Sequence, residues 1–180
     1  MMLDETLLWR SRPLTPYVPT GKVLSVPSAA LATTIAKLRR TGAVEASCLW
    51  LGSLDKDGNG QVAAVAVPKQ FNRPRNYAVP GEAMVEVSAL ARSRGWTVVA
   101  AIHSHPGASV EHSVYDDEMT PSRRAVSIVF PYYGHWSGPW PSGLGVHEYM
   151  RKYWYLLSER EAQLRVRFFE NLPIYVADFR

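Results

Sequence analysis

A chain of 180 residues, 47% hydrophobic and 20% charged, is long enough for one domain with a real core and short for a second full one. No apolar run approaches the roughly 18 residues of a membrane span, and the start Met1-Met2-Leu3-Asp4-Glu5 is acidic where a secretory signal is basic, so no membrane partner is expected and the cytoplasm is the expected compartment. Cys48, alone, excludes an intramolecular disulfide and a multi-cysteine zinc knuckle, while the formal charge of +4 arises from scattered basic residues, with Arg39-Arg40, Arg123-Arg124 and Arg165/Arg167 as local pairs, which argues against a nucleic-acid face.

Residues 6–10 and 22–26 read as two short strands joined by a loop with Pro13, Pro16 and Pro19, a hairpin at a sheet edge. A helix opens at Pro27-Ser28, carries Leu31, Ile35 and Leu38 on one face, and ends with Lys37, Arg39 and Arg40 before Gly42. Residues 44–52 have the apolar content of a buried strand, Asp55-Lys56-Asp57-Gly58-Asn59-Gly60 is a turn, and residues 61–67 return as the partner strand. Glu45, near the start of the first of these strands, reads by itself as a solvated strand-end acid. The prolines and the Asn-Arg-Pro-Arg-Asn cluster within residues 68–79 predict a loop bordering a cleft.

Pro80-Gly81-Glu82 starts a second helix with Met84, Val87, Leu90 and Ala91 on one face, ending near Arg94-Gly95, and the apolar run 96–102 is expected at the sheet centre. After a strand over residues 125–130, residues 131–145 form a loop dense in Gly, Pro, Tyr and Trp. His135 and His147, in or just after it, read as surface or hydrogen-bonded side chains because neither has a second ligand at useful spacing. Ser158-Glu159-Arg160-Glu161 is a helix start, residues 161–169 fit helix and strand alike, and residues 174–178 are a last strand. Helices alternating with strands predict an α/β (α+β) domain, a mixed β-sheet flanked by helices. One domain is expected over residues 1–180: an N-terminal hairpin (1–27), a motif-bearing core (28–135) and a C-terminal extension (136–180).

The chemistry gathers at His103-Ser104-His105-Pro106-Gly107, where the apolar strand ends. Residues i and i+2 of a strand share a face, so both imidazoles reach toward one ion, and Pro106 and Gly107 leave the pair at an accessible sheet end. Two histidines and one carboxylate are a usual catalytic zinc set; Asp116 is the natural third ligand, and Ser113-x-x-Asp116 is also a helix capping box, which fixes the geometry a ligand requires. A metal-activated water needs a base, for which Glu45, Glu111, Asp117 and Glu118 all remain open on these grounds. His112, beside Ser113, is either an outer partner of the ligand histidines or exposed, and exposure is the preferred reading.

His103-Ser104-His105-Pro106, six residues, Ser113, two residues and Asp116, with Glu45 upstream in a strand ending Leu49-Trp50-Leu51-Gly52, resembles the JAMM motif of the JAB/MPN metalloprotease family over roughly residues 28–135. The resemblance implies a cytidine-deaminase-like JAB/MPN fold and a zinc (Zn2+) isopeptidase in which His103, His105 and Asp116 are ligands, Glu45 is the general base and Ser113 helps stabilise the tetrahedral intermediate. The opening segments Leu8-Trp9-Arg10-Ser11 and Val23-Leu24-Ser25-Val26-Pro27-Ser28 are similar to those of compact prokaryotic JAB proteins found beside ubiquitin-like conjugation enzymes, including those of anti-phage operons. The implied substrate is a ubiquitin-like protein, in conjugates or fusions, with its activating and conjugating enzymes as associated partners. Phe71, Tyr77, Trp136 and Trp140 either line the substrate groove or cap the core. The competing readings are a metal-free MPN-type binding module, a peptidase that processes a ubiquitin-like or sulfur-carrier precursor, and a RadC-like JAB protein of DNA repair; a cysteine protease would need an exposed thiol, which Cys48 in an apolar strand does not offer.

Overall fold

The strand that carries the histidines, β6 (Thr97–Ser104), lies inside a mixed sheet, antiparallel to β2 (Ser47–Leu54) on one side and parallel to β7 (Val126–Phe130) on the other. The computed structural model describes residues 10–120, 122–170 and 172–180. Beyond β2 lies its hairpin partner β3 (Gly60–Val67), and beyond β7 come the antiparallel β8 (Gly145–Met150) and β9 (Tyr153–Leu156). The far edge of β3 is shared: β1 (Leu24–Pro27) pairs in parallel with Gly60 and Gln61, and β11 (Tyr175–Asp178) pairs in parallel with residues 64–67. β10 (Val166–Phe169) completes the sheet beyond β1. A separate two-stranded hairpin, β4 (Phe71–Arg73) and β5 (Asn76–Ala78), stands over the strand ends.

Helix α1 (Ser28–Arg40) covers one face of the sheet and α2 (Gly81–Ser93) the other. Side chains alternate along β2 as the pleat requires: Cys48 and Trp50 pack in the cluster of Ala30 and Leu38, while Leu49 and Leu51 pack with Val87 and Ala91. In β3 the parity changes, with Val62 and Val65 both on the α1 side, because a bulge between Leu51 and Gly52 skips Ala63. Gly52 is required there, since a Cβ would lie 1.9 Å from the Gln61 carbonyl oxygen.

The second strand of the expected N-terminal hairpin is present as β1, but it is not at an edge. It is held in parallel by β10 and β3, pairings between residues far apart that no local pattern encodes. The first expected strand, residues 6–10, lies almost wholly outside the described residues. Residues 161–169 are both of the things they resemble: α4 (Glu159–Arg165), opened by a capping box between Ser158 and Glu161, gives way to β10 at Val166. The loop read over residues 68–79 contains the β4–β5 hairpin. Among the described residues no helix is long and apolar enough to cross a membrane.

The β8–β9 connection is a two-residue turn at Arg151 and Lys152, with φ of 51° and 64°. Such a turn needs left-handed backbone at both positions, where L side chains are strained and Asn-Gly is favoured. Replacing Arg151→Asn and Lys152→Gly together raises stability by about 1–2 kcal/mol, read as a higher urea midpoint at unchanged slope.

Candidate metal centre

His103 sits in β6 opposite Ser47 of β2 and Val129 of β7 and is 2% exposed, while His105 follows the strand end and continues its ladder, its N–H donating to the Phe130 carbonyl at 2.8 Å. The next residues are held by the turn over residues 132–134: Tyr133 N–H donates to the His105 carbonyl at 2.8 Å and Tyr132 N–H to that of Gly107 at 3.1 Å. Both tyrosines have positive φ, 50° and 55°, a strained conformation that aims their amides at the metal-site loop. Asp116 comes from the six-residue helix α3 (Val114–Met119). The expected capping box is present. The Ser113 hydroxyl accepts from Asp116 N–H at 3.2 Å and donates to Asp116 Oδ2 at 2.7 Å, and Ser113 N–H donates to the same oxygen at 2.7 Å.

These constraints bring three ligand atoms together. The Nε2 atoms of His103 and His105 are 3.1 Å apart, and carboxylate oxygens of Asp116 lie 3.2 Å from His103 Nε2 and 3.3 Å from His105 Nε2. Bonds of about 2.0–2.1 Å at tetrahedral angles put ligands about 3.3 Å apart, so the set fits zinc. His105 Nδ1 lies 2.9 Å from the Ser109 carbonyl, which only accepts, so Nδ1 carries a proton and Nε2 is the ligand atom; burial disfavours the charged ring but Asp116 beside it raises the His105 pKa, so a cation displaces a proton from Nε2. Burial lowers the His103 pKa to about 4, which keeps that ring neutral. Burial disfavours the charge on Asp116, yet His103 and the hydrogen bond with His105 hold its carboxyl below the usual range. Neutral imidazoles and an ionised carboxylate are the forms that bind a cation.

Glu45 lines the same cleft, of about 700 Å³, as His105, Ser113 and Asp116. It precedes β2, and the β4–β5 hairpin clamps its backbone: Glu45 N–H donates to the Arg73 carbonyl at 2.9 Å, and Asn72 Nδ2 donates to the Glu45 carbonyl at 2.7 Å. Gln70 adds a second clamp, accepting from Ser47 N–H at 2.7 Å and donating to its carbonyl at 2.9 Å. The solvated strand-end reading of Glu45 therefore fails: it is buried, and that burial raises its pKa to about 7. Of the other acids, Glu111 pairs with Arg12 and Asp117 with Arg10 and His112, while Glu118 lines the cleft.

Because the folded state holds the Glu45 proton more tightly than the unfolded chain, ionisation destabilises the fold increasingly as pH rises from about 4.5 through about 7. Glu45→Gln removes this penalty. In chelator-treated protein, where no bound cation opposes the shift, the Tm advantage of the variant widens between about pH 5 and about pH 8; a constant difference contradicts the buried, ionising carboxyl.

Two histidines depart from expectation. His112 is buried rather than exposed, with Nδ1 2.9 Å from Asp117 Oδ1 and Nε2 2.7 Å from Ser127 Oγ. His147 is neither on the surface nor hydrogen-bonded: it is buried in β8, neither ring nitrogen has a partner among the described residues, and its ring lies 4.1 Å from that of His112. His135 is exposed as expected. Of the four aromatics, Trp136 and Trp140 pack against the core, Phe71 is exposed, and Tyr77 is buried with its ring 5.5 Å from that of His103. Cys48 is buried, and its thiol is pushed up to about 12, far from a nucleophile.

Residues 27–162 match the family described as prokaryotic homologs of the JAB domain. No curated protein matches the chain. Among solved structures it is similar to a protein of Desulfitobacterium hafniense, with 15% identity and a TM-score of 0.64 over 83% of this chain and 95% of that one. It is also similar to a protein of Salinibacter ruber, with 16% identity and a TM-score of 0.53 over 76% of this chain and 89% of that one. At these identities the likenesses speak for the fold. The family match spans most of the sheet, both large helices and the whole His103–His105–Asp116 cluster, and the chain belongs to the prokaryotic JAB-domain family.

Proposed function

We propose that the protein is a zinc-dependent peptidase that cleaves after the C-terminus of a ubiquitin-like protein, releasing it from conjugates or from fusions and precursors. The observation that carries this reading is the convergence of ligand atoms of His103, His105 and Asp116 within 4.8 Å of one another, with His105 and Asp116 lining the cleft that Glu45 also lines. A zinc ion held by these three residues supplies a water whose pKa falls to about 7 and a Lewis acid for an amide carbonyl. Glu45, with a pKa near 7, takes a proton from the attacking water and returns it to the departing amine. Ser113 N–H keeps hold of Asp116 Oδ2 when the Ser113 hydroxyl turns toward the cleft, where that hydroxyl stabilises the developing oxyanion.

Gly107, Ser109 and Val114 make one part of the cleft wall small, which suits the small residues of an extended ubiquitin-like tail, and Arg75 and Tyr153 lie on its border. The proposed setting is the cytoplasm, beside the activating and conjugating enzymes of the same modifier. The experiment measures metal content and cleavage of a ubiquitin-like fusion by the wild type and by His103→Ala. A bound zinc and cleavage in the wild type, both lost in the variant, support the reading. A wild type that neither binds zinc nor cleaves overturns it in favour of a non-catalytic binding module, and cleavage indifferent to the substitution overturns it by placing the chemistry outside the His103 cluster.

A further inference from the structure

Asp116 has an acidic neighbour. Asp117 is half-buried on the same short helix, one residue from the ligand. A helix of six residues has little stability of its own, so nothing intrinsic to it decides which of two adjacent carboxylates meets the cation.

The surrounding side chains do decide. His112 Nδ1 lies 2.9 Å from Asp117 Oδ1, and since a carboxylate only accepts, Nδ1 carries the proton. The side chain of His112 is wholly buried and its ring is neutral, so Nε2 is an acceptor, and the Ser127 hydroxyl donates to it at 2.7 Å. Arg10 Nη1 donates to both oxygens of Asp117, at 3.2 and 3.3 Å, while its Nε donates to the His112 carbonyl at 3.1 Å and its Nη1 to that of Trp154 at 2.9 Å. The guanidinium also lies over the Tyr153 ring at 4.5 Å. Asp117 thus has both oxygens engaged by Arg10 and His112 rather than by His103 and His105.

The chain of contacts ends on the strands that bear the metal site. Ser127 pairs with Ala101 in β6, two residues before His103. His112 directly precedes the helix cap Ser113, and Asp117 directly follows Asp116, so both ends of the capping box are anchored. The imidazole of His112 is boxed by rings of His103 at 5.6 Å, His147 at 4.1 Å and Trp154 at 5.5 Å, which restricts its rotation.

We propose that Arg10, His112 and Ser127 are positioning residues for the metal: together they restrain Asp117 and leave Asp116 as the carboxylate ligand. The inference rests on the reading of His103, His105 and Asp116 as ligands and is independent of the substrate. Outer contacts of this kind change metal affinity by about 10–100-fold when removed.

The test uses the full chain, stripped of metal by chelation. Zinc affinity is measured by competition with a chromophoric chelator, cobalt(II) is titrated in to record its visible spectrum, and the Tm of each metal-free protein is recorded beside them. Ser127→Ala and Arg10→Ala each lower zinc affinity about 10–100-fold and weaken the tetrahedral cobalt bands. In the double variant Arg10→Ala, Asp117→Asn, the freed side chain is no longer an anionic competitor, and the wild-type spectrum returns. If Ser127→Ala does not fold, Arg10→Ala, at the outer end of the chain of contacts, carries the test. Variants with lower Tm but wild-type affinity and spectrum make these contacts structural only and overturn the proposal, as does a double variant that stays as impaired as Arg10→Ala. A wild type that binds neither ion overturns the ligand reading itself, which is a distinct result.

Discussion

Glu45→Gln lowers cleavage of a ubiquitin-like fusion by about 10²–10⁴-fold, the range a positioned general base supplies, and leaves zinc content unchanged. Glutamine has the same shape, and the clamps at this position hold backbone rather than carboxylate: the Arg73 carbonyl takes the Glu45 N–H and Asn72 Nδ2 reaches the Glu45 carbonyl. The substitution therefore removes a proton acceptor and little else, since Glu45 is not one of the three clustered ligands. Single-turnover cleavage with metal analysis on the same samples checks it. A rate within about tenfold of wild type passes the role to Glu118, another acid of the cleft wall.

Trp50→Ala costs about 3–5 kcal/mol, a large share of the roughly 5–15 kcal/mol a domain possesses. Trp50 is 0% exposed on the α1 face of β2, and its Nε1 donates to Thr34 Oγ1 at 2.8 Å, which ties helix to sheet. Trp50→Phe retains most of the volume and loses the bond, so its cost is about 1–2 kcal/mol. Urea unfolding of both variants separates packing from hydrogen bonding, and equal losses would contradict the cavity as the main source of the alanine variant's instability. Because Trp50 stands opposite Ala100 of β6, the alanine variant also loosens the strand that carries His103.

Short-range patterns account for much of the site. The His103-x-His105 spacing on a strand, the Ser113-x-x-Asp116 cap and the stop at Pro106 are consequences of period-two geometry and of hydrogen bonds three residues long, and they hold in the structure. The turn at residues 55–60 and the two large helices are legible for the same reason, since their apolar spacing and flanking residues act within one or two turns of chain.

What sequence by itself determined was therefore the pair of histidines, the capped aspartate and the class of fold, because each depends on neighbours within a few residues. The tertiary structure alone decided the surroundings of Glu45, the burial of His112 and the place of β1 between β3 and β10. Glu45 looks solvated until the hairpin of residues 71–78 closes over it, and His112 looks exposed until Ser127, Arg10 and the ring of His147 enclose it. These outcomes depend on hydrogen bonds and packing between residues from 15 to more than 100 positions apart, and their partners meet only when the sheet has assembled.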